Sequence, residues 1–203
     1  MKPSENIGDR WASEFSVEPA EVEAEFDAEA AEYDQQLKDW DYRVPEDSTK
    51  ILTDYVSHSA KVLDAGCGTG LVGAAQYAQG YRNLYGADLS NGMLEVAKSK
   101  GIYTELRRAD LCQRLPYEDD SFDATTCFAT LSFIEDAEPT FREFCELLAT
   151  MVSSYFLTGA IYSKIAIVLH SVSGWNKLGC GRRNTIPAGI RTSPVIRPTP
   201  TNN

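Results

Sequence analysis

Two acids and a run of glycines carry most of the chemistry legible in this chain. In Val62-Leu-Asp-Ala-Gly-Cys-Gly-Thr-Gly-Leu-Val-Gly73 two apolar residues close a strand, Asp64 stands at its tip, and glycines follow at 66, 68 and 70. Leu71, Val72 and Ala74 then begin a helix. A strand–loop–helix of this kind needs glycine because the loop turns tightly and a ligand lies on its backbone, where a Cβ would collide. The helix N-terminus offers unpaired N–H groups to an anionic group. Asp64 offers the opposite preference, for a cationic amine. A ligand with both signs at one end, an amino-acid group, satisfies the two together.

Gly68-Thr-Gly-Leu-Val-Gly73 also spells G-x-G-x-x-G, the dinucleotide fingerprint, which is weak when it stands alone. In that design the loop faces a pyrophosphate, and an acid two residues ahead of the first glycine has no part in it. Nor does any Tyr-x-x-x-Lys pair support a nicotinamide oxidoreductase. Asp64-Ala-Gly-Cys-Gly-Thr-Gly70 instead resembles the first motif of the class I S-adenosylmethionine-dependent methyltransferases, whose cofactor ends in such an amino-acid group.

Further landmarks arrive in order. A second strand, 83–88, ends at Asp88, placed to accept hydrogen bonds from both hydroxyls of a ribose. Ser90 caps a helix that lysines and Gly101 close. A third strand over 103–108 leads into Ala109-Asp110-Leu111. Leu115-Pro-Tyr-Glu-Asp-Asp-Ser-Phe-Asp123 turns into a fourth strand over 122–128 that leaves at Phe128. The resemblance implies that Asp110 and Leu111 frame the adenine and that Phe128 to Leu131 flank the methionine portion. It implies cofactor contacts from Tyr33, Asp64, Gly66, Cys67, Gly68, Gly70, Asp88, Leu89, Met93, Asp110, Leu111 and Phe128. Met93 fits either the adenine edge or the core, where a helical methionine ordinarily sits. Cys67 fits its loop by small size rather than thiol chemistry. Asp119, Asp120 and Asp123 read as turn residues, with Asp123 the polar start of strand four.

Short apolar strands alternating with helices require a mostly parallel sheet covered on both faces, here an α/β Rossmann-like three-layer sandwich. Its ligand site lies at the C-terminal edge of the strands, beside strand one. Ahead of this core, Ala20, Val22, Phe26, Ala30, Tyr33 and Leu37 recur at steps of three and four, predicting one apolar helical stripe across 18–39. The resemblance implies that this segment is a lid and that Tyr33 helps close the cofactor pocket; an aromatic on such a stripe also suits the core. A helix near 46–57 follows. The reading divides the chain into a flexible 1–16, a helical lid 17–45, a core 46–158 and a tail 159–203. Tyr33-Asp-Gln, Tyr42-Arg-Val-Pro, the glycine motif and Gly86-Ala-Asp-Leu-Ser-Asn-Gly-Met-Leu94 resemble, within the family, the methyltransferase-like protein 27 group.

The tail departs from the family pattern. The chain has 203 residues, 30 acids against 19 bases and a net charge of −11. No acid occurs after Glu146, while Lys164, Lys177, Arg182, Arg183, Arg191 and Arg197 are all basic. The expected Pro-Gly-Gly-like turn after the helix near 137–148 is missing. Strand five is placed at 152–158, beside strand four, with another strand within 161–172. The C-terminal strands are thus incomplete against the family, and 173–203 reads as disordered. A pI near 4.6 argues against a nucleic-acid surface. Five cysteines in no C-x-x-C and two isolated histidines suggest neither metal nor disulfides. Lys164, His170 and the hydroxyl residues weigh against a membrane span in 151–172. The first residues lack a signal core, which with the cysteine usage predicts a cytoplasmic protein. The resulting expectation is methyl transfer to a small molecule. A cofactor-binding but inactive or truncated relative is the alternative. No catalytic base stands out, and the oligomeric state is not legible.

Overall fold

The computed structural model describes residues 18–149 and the backbone of 152–157 and 166–171. Its strands are β1 (Lys61–Ala65), β2 (Asn83–Asp88), β3 (Glu105–Arg108), β4 (Ala124–Cys127), β5 (Val152–Leu157) and β6 (Ala166–Ser171). They form one sheet in the order β3-β2-β1-β4-β6-β5. The first four are parallel, with Leu63 level with Tyr85 on one side and Thr125 on the other. The helices are α1 (Pro19–Glu29), α2 (Tyr33–Asp39), α3 (Val44–Tyr55), α4 (Leu71–Ala78), α5 (Asn91–Ser99) and α6 (Glu138–Leu147).

The pleat of β1 explains the three layers. Val62 points to one face, where it packs with Leu52 of α3, Val56 just after that helix, Leu84, Tyr81 and Phe128. Leu63 and Ala65 point to the other, where Phe122, Phe144, Leu147 and Leu148 bury the base of α6. Side chains along a strand alternate between faces, so adjacent apolar residues need two covering layers. Strands one and two lie where the sequence places them. Strands three and four are shorter than read, since Tyr103 and Phe122 fall outside their ladders. Asp123 stands one residue ahead of β4, and the Lys61 N–H donates to its carboxylate at 2.8 Å.

Two expectations fail here. The stripe across 18–39 is not one helix, because a turn at residues 30–32 separates α1 from α2. The break lets Phe26 meet Tyr33 edge-on at 6.1 Å, and Phe133 at 5.1 Å. A continuous helix would spread these rings along one rod; the turn gathers them over the sheet edge. The second failure is the pairing of strand five. After α6 the chain runs briefly beside strand four, through a parallel bridge of Leu148 with Phe122. β6 then takes the place beside β4, antiparallel with Thr125 opposite Leu169, and β5 lies outside it as the hairpin partner. An antiparallel strand covers the open edge of β4 as well as a parallel one does, and a hairpin brings it there directly. The readings of 1–16 and 173–203 lie outside the described residues.

Candidate functional site

The glycine loop joins β1 to α4 in left-handed steps: Gly66, Gly68 and Gly70 have φ of +71°, +52° and +86°. At Gly68 a Cβ would enter open space, so the backbone itself forms the wall of a cavity there. At Gly66 a Cβ would meet the Thr130 side chain, with Cγ2 at 2.6 Å. The loop is anchored from behind, the N–H groups of Gly66 and Cys67 donating to the Ala87 carbonyl at 2.7 and 3.0 Å.

Asp88 stands at the end of β2 against this loop. Its two carboxylate oxygens accept from the backbone N–H groups of Gly68, at 2.7 Å, and Ser90, at 2.9 Å. Desolvation raises its pKa above the ordinary carboxylate value despite those donors. Each oxygen keeps a second lone pair, so the group can still accept hydrogen bonds from a ligand. Ser90 caps α5 as predicted, its hydroxyl accepting from the Met93 N–H at 3.0 Å. The Asp110 carboxylate accepts from the Cys112 N–H at 2.8 Å.

The cavity is walled by Gly66, Cys67, Gly68, Asp88, Leu89, Met93, Asp110, Leu111 and Phe128 from the core, with Tyr33 above them. These ten residues of the sequence reading lie together. Asp64 and Gly70 do not join them. Asp64 is 2% exposed and lies on the β1 face beneath α4. Its carboxylate accepts from the Tyr103 hydroxyl at 2.7 Å and the Thr126 hydroxyl at 3.2 Å. Burial pushes it up to about 6, against these two donors. Gly70 is closed off by the Tyr103 ring, whose Cε2 is 2.9 Å from where a Cβ would sit.

Sequence reasoning missed Phe133, at the end of the short turn Leu131–Phe133, held Thr69 only as part of the glycine motif and read Ser90 only as a cap, whereas Thr130 falls in the Phe128 to Leu131 stretch expected beside the methionine portion. It also missed how the cover is held. Val22, Glu23, Phe26, Leu37, Tyr42 and Pro45 complete the cavity from α1 to α3. Three acids of the cover are fastened to the core. Glu23 accepts from two of the Arg108 guanidinium nitrogens, Nε and Nη2, the shortest contact being 2.7 Å. Asp27 accepts from the Ser90 hydroxyl at 2.5 Å and the Gly92 N–H at 2.7 Å, which together hold its carboxyl below the usual range. Asp34 accepts from Lys100 at 2.6 Å and from the Thr69 hydroxyl at 2.5 Å. The acids of this stretch therefore include working contacts as well as a solvated face.

Asp27 is the contact that a single change tests most directly. It places an anion at the N-terminus of α5, a position whose favourable charge interaction is about 0.3–1 kcal/mol. Asp27→Ala should speed amide exchange across residues 19–29 up to about fivefold, with little change in the core strands. Unchanged exchange would mean that the apolar contacts of Phe26 hold the cover alone.

Comparison with known proteins shows what this geometry is similar to. Residues 63–151 match the family model described as a methyltransferase domain. Over these residues the chain is similar to a methyltransferase domain. It is 40% identical over 111 residues to methyltransferase-like protein 27 of Homo sapiens, covering 53% of this chain and 45% of that protein. It is 33% identical over 123 residues to the demethylmenaquinone methyltransferase of Clavibacter sepedonicus, covering 56% and 48%. The chain thus spans about half the length of these curated relatives. The fold matches the crystal structure of a Methanococcus maripaludis protein assigned to the S-adenosylmethionine-dependent methyltransferases, with a TM-score of 0.57, 20% identity and coverage of 68% and 65%. The architecture is therefore that of the class I methyltransferases, and S-adenosylmethionine is the cofactor this domain implies. The chemistry of the site fits it: open glycine backbone, the Asp88 carboxylate with free lone pairs, and a largely apolar floor from Met93, Leu111 and Phe128. Among the described residues no group of acids, histidines and cysteines could hold a metal ion.

Proposed function

We propose that this chain transfers a methyl group from S-adenosylmethionine to a small-molecule acceptor in the cytoplasm. The observation that carries the reading is Asp88 held against the glycine loop, with acceptor capacity left over at the wall of a covered cavity. Asp88 would hold the ribose hydroxyls, Asp110 and Leu111 the adenine, and the loop with Phe128 the methionine portion. The bound cofactor supplies an electrophilic methyl on its sulfonium. The chain's own contribution is alignment of the acceptor and exclusion of water, through Tyr33, Phe26 and Phe133 above the cavity. Cys67 is no nucleophile here, because burial pushes its thiol well above the ordinary value and leaves it protonated at neutral pH.

The small-molecule acceptor is supported by enclosure and by charge. A cover pinned at Glu23, Asp27 and Asp34 leaves a partly covered cavity, and a net charge of −11 repels a phosphate backbone. Relatives differ in acceptor: one is the 18S rRNA (guanine(1575)-N(7))-methyltransferase of Saccharomyces cerevisiae, 28% identical over 82 residues. The cytoplasmic placement rests on the cysteine usage.

The test is binding followed by turnover. S-adenosylhomocysteine at about 100 times its Kd should stabilise the chain by roughly 2.7 kcal/mol in thermal unfolding, and NADH should not. Labelled methyl should then move from cofactor into the low-molecular-weight fraction of a metabolite extract. Stabilisation by NADH alone would end the methyl-transfer reading. Binding without any turnover, RNA and extract both supplied, would leave an inactive cofactor-binding protein.

A further inference from the structure

Tyr103 precedes β3 and is no part of the glycine motif, yet its ring lies under three glycines. A Cβ on Gly73 would come within 2.9 Å of its Cε1, one on Gly70 within 2.9 Å of its Cε2, and one on Gly86 within 3.2 Å of Cε1. Its hydroxyl donates to Asp64 at 2.7 Å. The third glycine of the G-x-G-x-x-G run thus makes room for a tyrosine. Asp64 in turn faces the first turn of α4, where the Gly73 N–H also lowers its pKa. Helix α4 has no side-chain cap at Gly70, so a carboxylate from the strand tip supplies the anion its N-terminus favours. Behind Asp64, the Gln76 amide donates to Thr126 at 3.2 Å, and the Thr126 hydroxyl reaches Asp64 at 3.2 Å. Neither Tyr103 nor Asp64 reaches the cavity wall.

We propose that Tyr103 is a positioning residue for cofactor binding, holding the ionised Asp64 against the start of α4 so that loop 66–70 keeps its open shape. The inference rests on the proposed cofactor cavity. The ionisable groups facing Asp64 are Tyr103 itself, Asp88 on β2, Cys67 in the loop and Cys127 on β4. Asp88 opposes the charge on Asp64, burial keeps both thiols protonated, and the Tyr103 and Thr126 hydroxyls favour the ionised form.

The experiment uses the full chain and its Tyr103→Phe, Thr126→Val and Asp64→Asn variants. Affinity for S-adenosylhomocysteine is measured by calorimetry from about pH 5.5 to 8.5, and amide exchange at residues 66–73 without ligand. Wild-type affinity should rise as pH passes through about 6 and then level off. Tyr103→Phe should move that rise to higher pH, with a loss of about tenfold near pH 6.5 and under about threefold at pH 8.5. It should also speed exchange in the loop. Thr126→Val should shift the profile in the same direction by less, and Asp64→Asn should flatten it. A purely structural role for the ring predicts an equal loss at every pH; that result overturns the proposal, as would an unchanged profile in Tyr103→Phe. If Tyr103→Phe does not fold, an unshifted profile in Thr126→Val overturns it equally. If the wild type does not bind S-adenosylhomocysteine, the methyl-transfer reading fails separately, and loop exchange decides the positioning role: faster in Tyr103→Phe supports it, unchanged refutes it.

Discussion

Asp88→Ala is expected to weaken S-adenosylhomocysteine binding about a hundredfold, equivalent to roughly 2.7 kcal/mol. Two losses combine. Hydrogen bonds to a charged acceptor contribute about 1.5–3 kcal/mol each, and a ribose presents two hydroxyls. The variant also removes the acceptor for the Gly68 and Ser90 N–H groups, so the loop loses its tie to β2 before any ligand arrives. Free stability should change less than affinity. Desolvation already disfavours the Asp88 charge, and its half-buried position lets water replace the lost acceptor. Asp88→Asn separates the terms: it keeps one acceptor oxygen but turns an amide NH₂ toward one of the two N–H donors, so binding should fall between wild type and Ala. Calorimetry at a fixed pH near 8 checks the series. A loss under about threefold in Asp88→Ala would make the acid a loop anchor alone.

The site's core-side half was legible in the sequence because its determinants are local. A glycine that needs positive φ, an acid at a strand end and a serine cap are each specified within a few residues, and Gly66, Gly68, Asp88 and Ser90 stand where those rules put them. The parallel order of β1 to β4 follows from the same alternation of strand and helix. What sequence did not show depends on distant partners. From sequence alone Asp64 reads as a ligand group, because an acid at a strand tip ahead of a glycine loop suits a cationic amine. Its partner Tyr103 is 39 residues away, and only the folded sheet brings the approach to β3 beside the Asp64 face of β1. The clamp of Glu23 by Arg108 spans 85 residues. The order of β6 and β5 was hidden for a related reason. Both are short runs with apolar character, either could pair with β4, and the choice belongs to the hairpin as a unit.

Asp64→Asn should change how stability depends on pH, by on the order of 3 kcal/mol. The folded chain holds this carboxyl at about 6, against an ordinary value of 3.8, because burial outweighs its two hydroxyl donors. The direction follows from proton uptake. Between those two values the folded state binds a proton that the unfolded state has released, so this group favours folding below about pH 4. That contribution disappears as pH rises through 6. Asparagine has no proton to lose. Whatever offset the amide introduces against Tyr103 and Thr126, the stability of Asp64→Asn relative to wild type should climb from pH 4 to about 6.5 and then stay level. Urea unfolding at a series of pH values reads this difference directly, and other titrating groups cancel to first order because both chains share them. Parallel curves would show that the buried carboxylate is fully compensated, and with that the case for a strained anion behind the loop would fall. A rising curve together with weaker cofactor binding would show the opposite balance. An acid that burdens the fold at neutral pH then has its use in the liganded state, where its charge holds the start of α4 and the open glycine backbone in place.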